Sequence, residues 1–214
     1  MNKIDPIRRI AILAIAGCLA GPLNGIAQDN TAVAGVNDTT EITASNPRVK
    51  LKTNLGELII ELNPEQAPAT VENFLQYVND GFYEGTIFHR VIDGFMIQGG
   101  GYTLAFDKKA VRDPIENEAY NKLDNAKYTI AMARTPDPHS ATAQFFINTA
   151  DNDFLNHKAK KPNAWGYTVF GEVVEGQEIA DWIGKTPTGA GGPFRKDVPK
   201  KPIVIEEASL LSDK

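Results

Sequence analysis

The chain has 214 residues, 42% of them hydrophobic and 23% charged, with a formal net charge of −5. That balance suits one globular domain with a full core once a targeting segment is set aside. The acidic balance argues against nucleic acid as the main partner, because phosphate binding needs a basic patch. The single cysteine, Cys18, lies near the N-terminus, which excludes a disulfide framework, a cysteine-ligated zinc and a cysteine nucleophile from the body of the chain.

Residues 1–27 read as a secretory signal. Lys3, Arg8 and Arg9 form a positive start, Ile10 to Leu19 is an uncharged apolar run, and Gly25-Ile26-Ala27 places small residues where a signal peptidase cuts. The run is shorter than the roughly 20 residues a spanning helix needs. Ile15-Ala16-Gly17-Cys18 also matches the pattern that precedes a lipidated cysteine, although Leu19 to Leu23 stays apolar beyond it. Cleavage after Ala27 and lipidation of Cys18 are therefore alternatives, and both export the body. The expected location is the periplasm, or the envelope through a lipid anchor on Cys18. Residues 28–46 are polar, without period, and read as a disordered linker.

Order begins at Pro47, so one domain is expected over 47–214. Val49 and Leu51 alternate with charged residues, and Leu58, Ile60 and Leu62 do the same after an Asn54-Leu55-Gly56 turn, which predicts a hairpin. Pro68 to Asp80 is a helix with Val71, Phe74, Leu75 and Val78 as its buried stripe, Pro68 in the first turn and Gly81 just past the end.

Phe88 to Gly100 predicts two short strands joined at Asp93-Gly94. Spacing two puts Arg90 on a face with Phe88 and Ile92, Phe95 with Ile97, and Met96 with Gln98. A charged guanidinium in so apolar a run is costly without partners. It reads either as a structural arginine or as the floor of a small apolar site for a carbonyl-bearing group. Residues 101–127 predict a long loop, Tyr128 to Ala133 a strand with Ile130 and Met132 on one face, and Gln144 to Thr149 a strand whose Phe145 and Phe146 point to opposite sides. Tyr167 to Val174 predicts a further strand. Gly176 to Gly184 predicts a helix with Ile179, Trp182 and Ile183 buried, Pro187 to Pro202 a Gly/Pro-rich loop, and Ile203 to Leu211 a last strand. Eight strands joined by turns and loops, without βαβ crossovers, imply a mostly β fold, a closed antiparallel barrel capped by two α-helices.

The usual reactive constellations are missing. His89, His139 and His157 have no metal-binding spacing. His139-Ser140 lacks a nucleophile elbow and reads as loop polarity. Gly99-Gly100-Gly101 lacks the phosphate-loop lysine and reads as close backbone approach at a strand end. No metal and no cofactor are expected.

The stretch Phe88-His89-Arg90-Val91-Ile92-Asp93-Gly94-Phe95-Met96-Ile97-Gln98-Gly99-Gly100 resembles the signature of the cyclophilins, a family of peptidyl-prolyl cis/trans isomerases. Ser140-Ala141-Thr142-Ala143-Gln144-Phe145-Phe146-Ile147 and Tyr167-Thr168-Val169-Phe170-Gly171 resemble its second and third motifs, and the likeness runs from Pro47 to Leu211, most like periplasmic bacterial members. The resemblance implies an eight-stranded barrel with two capping helices, which agrees with the tally above. It implies Arg90 as the catalytic residue and Phe95, Met96, Phe146 and Leu155 as walls of a proline pocket. It further implies Gln98 and Gln144 as contacts to the substrate backbone, and Ala133 and Arg134 as a strand edge that pairs with the peptide.

Three positions depart from the family pattern. Phe154 stands where many members carry tryptophan, which implies weak cyclosporin binding. Tyr167 stands at a rim position often held by histidine, and Arg134 at one often held by asparagine. The implied partners are proline-containing segments of exported proteins, met by a monomer that touches membrane only if Cys18 is lipidated. The rival reading is a proline-peptide-binding chaperone with incidental catalysis, and a hydrolase using His139 or Ser140 is a distant third.

Overall fold

The computed structural model describes residues 46–212. The expected signal segment with Cys18 and all of the expected linker except Asn46 lie outside the described residues. Among the described residues, no helix is long and apolar enough to cross a membrane.

Strands β1 (Arg48–Thr53) and β2 (Gly56–Leu62) form the expected hairpin, in register from Arg48↔Glu61 to Thr53↔Gly56. Helix α1 (Pro68–Asn79) follows, then the short pair β3 (Arg90–Ile92) and β4 (Met96–Gly99). After a long excursion come β5 (Thr129–Met132), β6 (Phe145–Asn148) and β7 (Val169–Glu175), helix α2 (Gln177–Gly184), and a hairpin of β8 (Thr188–Gly191) and β9 (Phe194–Pro199). The last strand is β10 (Ile205–Leu211). Eight strands make one antiparallel sheet in the order β10-β1-β2-β7-β5-β6-β4-β3. The sheet curls until its two ends meet. They join through residues 85–88, not through a full ladder: Phe88 N–H donates to the Ile203 carbonyl at 2.9 Å and Ile205 N–H to that of Thr86 at 2.8 Å. The barrel is thus a rolled sheet with a narrow seam.

Strand alternation sorts side chains to two faces. Ile97, Ile130, Met132, Phe145, Ile147 and Phe170 point inward to the main core, where they meet Val71, Phe74 and Val78 of α1 and Ile179, Ala180 and Ile183 of α2. Phe74 stands at the centre, with ring centroids 5.2 Å from Tyr83, 5.8 Å from Phe145 and 5.2 Å from Phe170. The opposite face of β4, β5, β6 and β7 gathers a second apolar cluster of Met96, Ala131, Phe146 and Val169. Phe145 and Phe146 therefore part company as their spacing predicts.

Helix α1 has no local side-chain cap. Its free N–H groups are met from far along the chain: the buried Glu118 carboxylate accepts from Ala69 N–H (3.2 Å), Thr70 N–H (2.9 Å) and Thr70 Oγ1 (2.7 Å). A carboxylate at a helix N-terminus satisfies unpaired donors and opposes the helix dipole.

Three expectations need correction. The Gly/Pro-rich stretch 187–202, expected to be loop, contains the β8/β9 hairpin. Its prolines fall at the turn and the ends, where a missing N–H costs no ladder bond, and Phe194 anchors it on Tyr102 at 5.2 Å. Trp182 is 60% exposed, not buried. The buried arc of α2 runs through Ile179, Ala180, Ile183 and Gly184, and Trp182 lies on its far side. Phe88 packs in the main core with Val91 instead of sharing a face with Arg90, because regular strand geometry begins only at Arg90.

Candidate functional site

The turn between β3 and β4 builds one side of a concavity. Gly94 adopts φ 68°, the left-handed conformation glycine takes without penalty, and Phe95 N–H closes the turn on the Ile92 carbonyl at 3.1 Å. This swings Phe95 onto the Met96 face, whereas simple alternation pairs it with Ile97, which lies in the core. Arg90 and Gln98 sit opposite each other across β3 and β4, and Gln98 sits opposite Phe146 across β4 and β6.

These register positions produce a concavity of about 120 Å³. Phe95, Met96, Ala133, Phe146 and Leu155 supply its apolar lining, Arg90 and Gln98 one polar edge, and Arg134 and Tyr167 the other. The Phe146 and Tyr167 rings meet edge to face, 5.6 Å between centroids at 80°. Arg90 is held by a short relay: its Nη1 donates to Gln98 Oε1 at 3.3 Å, and Gln98 Nε2 donates to Gln144 Oε1 at 3.0 Å. The lining contains no histidine, cysteine or carboxylate, so it offers donors and apolar surface but no titrating acid or base near neutrality.

Nine of the eleven residues named from the sequence line this concavity. Gln144 does not. It lies in a neighbouring concavity of about 310 Å³ that shares Gln98, Ala133 and Arg134 with the first and adds Tyr102, Lys108, Val111, Thr135, Ser140 and Thr142. Its side chain touches the first through Gln98. Phe154 is also outside, 64% exposed, because the 3-10 turn Asp153–Leu155 sends Leu155 inward and Phe154 out. Its ring instead stacks beside Phe95 at 5.6 Å. Ala133 N–H is committed to the Gln144 carbonyl at 2.9 Å, so pairing with a peptide there has to use other backbone groups.

The glycine run has the packing role expected of it. A Cβ on Gly101 would fall 2.4 Å from Gln144 Cγ, so the bare backbone is what lets Gln144 lie across it. His139 and Ser140 offer no nucleophile. Ser140 Oγ donates to the Asp137 carbonyl at 2.7 Å, and His139 Nδ1 accepts from Asn117 N–H at 3.2 Å. Among the described residues, no cluster of His, Cys, Asp or Glu has metal-binding geometry. A third concavity, about 180 Å³, is lined by Glu61, Asp124 and Glu172 but has no aromatic wall and no cation.

A family model described as cyclophilin type peptidyl-prolyl cis-trans isomerase/CLD matches residues 48–210. The chain belongs to the cyclophilin family of peptidyl-prolyl cis-trans isomerases. Its cyclophilin relatives include a peptidyl-prolyl cis-trans isomerase of Streptomyces antibioticus, 58% identical over 163 residues, covering 76% of this chain and 98% of that protein. Peptidyl-prolyl cis-trans isomerase B of Escherichia coli K12 is 52% identical over 162 residues, covering 76% and 98%. A crystal structure of a Cryptosporidium parvum cyclophilin in the presence of the dipeptide Ala-Pro superposes with TM-score 0.62 at 27% identity, covering 78% of this chain and 99% of that one.

Two features of this cyclophilin were not legible beforehand. Lys108 of the second concavity comes from the loop between β4 and β5, and Thr135 and Ser140 from the loop between β5 and β6, with no shared period. Asn117 is a buried hub: its Nδ2 donates to the Pro138 and Gly166 carbonyls, both at 3.1 Å, and its carbonyl accepts from Trp165 Nε1 at 3.1 Å. Nothing in the surrounding polar sequence marks Asn117 as buried.

Proposed function

We propose that the concavity holds the proline ring of an Xaa-Pro peptide and that Arg90 accelerates rotation about the bond preceding it. What carries this reading is the placement of Arg90, a cation fixed by Gln98 at the rim of an apolar cup. Uncatalysed Xaa-Pro isomerisation takes tens to hundreds of seconds because amide resonance opposes rotation. Bringing about 100 s to about a millisecond needs five decades, or about 7 kcal/mol.

Twisting the bond localises a lone pair on the prolyl nitrogen. A donor aimed there bonds to the twisted state and not to the planar one, the differential binding that catalysis requires. The rigid fork of Arg90 suits that task. One charge-assisted bond supplies about 1.5–3 kcal/mol. The remainder comes from Phe95, Met96, Phe146 and Leu155 holding the ring while the acyl side turns, with preorganised donors from Gln98. No covalent step and no proton transfer enter.

The clients are proline-containing segments of proteins folding outside the cytoplasm, on the strength of the signal-like character of residues 1–27. Mass spectrometry of the mature N-terminus distinguishes Gln28 from a lipidated Cys18, and an uncleaved Met1 would remove the export reading.

Exchange NMR on a short Xaa-Pro peptide tests the mechanism. Arg90→Ala is expected to lower kcat/KM about 10- to 150-fold, the rate equivalent of one charge-assisted bond, with an unchanged fold by circular dichroism. Wild-type exchange in that variant would remove the mechanism. Lost exchange with undiminished peptide affinity would separate catalysis from mere holding.

A further inference from the structure

Arg134 lines both the proline-sized concavity and its larger neighbour. Its guanidinium is held in place, not free. Nε donates to the Gly166 carbonyl at 3.0 Å, Nη1 to that of Thr135 at 2.9 Å, and the guanidinium carbon stands 4.5 Å from the Tyr167 ring centroid. The Gly166 carbonyl is itself fixed by the buried Asn117 Nδ2. Nη2 has no partner among the described residues, so a directed donor is left over.

Lys108 stands exposed on the lining of the larger concavity. The ion pairs among the described residues involve neither Lys108 nor Arg134. No carboxylate lines either concavity. Asp107 and Asp137 are the nearest in sequence, and the Asp137 carboxylate already accepts from His139 N–H at 3.0 Å. A chain of net charge −5 thus presents two uncompensated cations beside its proline site.

We infer that Arg134 and Lys108 make this enzyme select, among Xaa-Pro peptides, those carrying an aspartate or glutamate close to the proline. The inference rests on the proline occupying the smaller concavity, as proposed above. Arg134 offers a carboxylate a preorganised donor, and Lys108 adds a mobile charge across the same space. A basic side chain at that point meets two like charges. Both cations are solvent-accessible, so the preference is modest and sensitive to salt.

The test is exchange NMR with the full chain and short peptides bearing Glu, Gln or Lys at each of two positions before the proline and one after it. At low ionic strength, one position is expected to favour Glu over Lys by about fivefold in kcat/KM. At about 0.5 M salt the ratio is expected to fall below about twofold. Lys108→Gln and Arg134→Gln each lower the low-salt ratio, and together they bring it to about one. Lys201→Gln, an exposed lysine outside both concavities, leaves it unchanged. If the Gln peptides turn over but Glu and Lys peptides do so equally at all three positions, this inference fails and the isomerase reading stands. A preference that persists in the double variant also overturns it. If no peptide turns over, the underlying reading fails first.

Discussion

His89 and Arg90 are neighbours in the chain, yet one is sealed from water and the other faces the site. His89 is 3% exposed, its ring 4.7 Å from Tyr102 and 5.4 Å from Phe194, and its Nδ1 has no hydrogen-bond partner. Burial pushes its pKa down from 6.5 to about 4, against a contact with the Ile87 backbone and with some help from the Arg90 charge. Between those values the unfolded chain binds a proton that the folded chain refuses. Stability therefore falls as pH drops through that window, by about 3 kcal/mol once below it, and this group adds no pH dependence above pH 6.5. Urea unfolding at a series of pH values measures the slope, and His89→Phe is expected to flatten it. An equal slope in that variant would assign the loss to other groups. Activity should behave differently, because the concavity at Arg90 contains no group that titrates near neutrality. The expected kcat/KM is flat from about pH 6 to about pH 9, and a bell-shaped profile would reveal an acid or base that the proposed mechanism does not use.

Strand β6 shows why some of the site could be read in advance. Its alternation carries two tasks at once, Phe145 to the core and Phe146 to the concavity, and period two exposes both. Phe145→Ala is expected to cost about 3–5 kcal/mol of stability, as for any large core truncation. Phe146→Ala should cost less and raise KM, which chemical denaturation and kinetics measure separately. The Gly94 turn was legible as a turn but not in its consequence, since alternation gives no account of a residue that leaves the ladder, as Phe95 does. Trp182 was misplaced for a related reason: in an eight-residue helix, one residue more or less at the margin turns the apolar arc. Helix α1 was read well from its own stripe, but the group that completes its N-terminus, Glu118, is 48 residues from Thr70. Glu118→Ala is expected to destabilise by about 2–3 kcal/mol, because the Thr70 donors remain buried without an acceptor. Thr70→Ala should cost less, and a double-mutant cycle gives the coupling between them.

At the scale of the molecule, the eight strands of the main sheet follow from pattern and turns, whereas closure of the sheet depends on contacts that no local pattern records. Residues 85–88 bond to 203–205 across the seam, and Asn54, just past the end of β1, holds the same segment 202–204 in place from the β1 side. Asn54 makes three such bonds: its N–H donates to the Val204 carbonyl at 3.2 Å, its Nδ2 to that of Pro202 at 3.1 Å, and its Oδ1 accepts from Val204 N–H at 3.0 Å. In the sequence Asn54 reads only as a turn residue, because its partners lie some 150 positions away. Asn54→Ala keeps its backbone bond and loses the two side-chain bonds, so the expected loss is about 1–2 kcal/mol. Joining segments so distant carries a loop-closure cost, which makes this seam a late event in folding. The loss should then appear as faster unfolding with an almost unchanged folding rate. A chevron measurement decides it. If the folding limb slows by the full amount, the seam forms in the transition state, and the barrel is built around its closure instead of being finished by it.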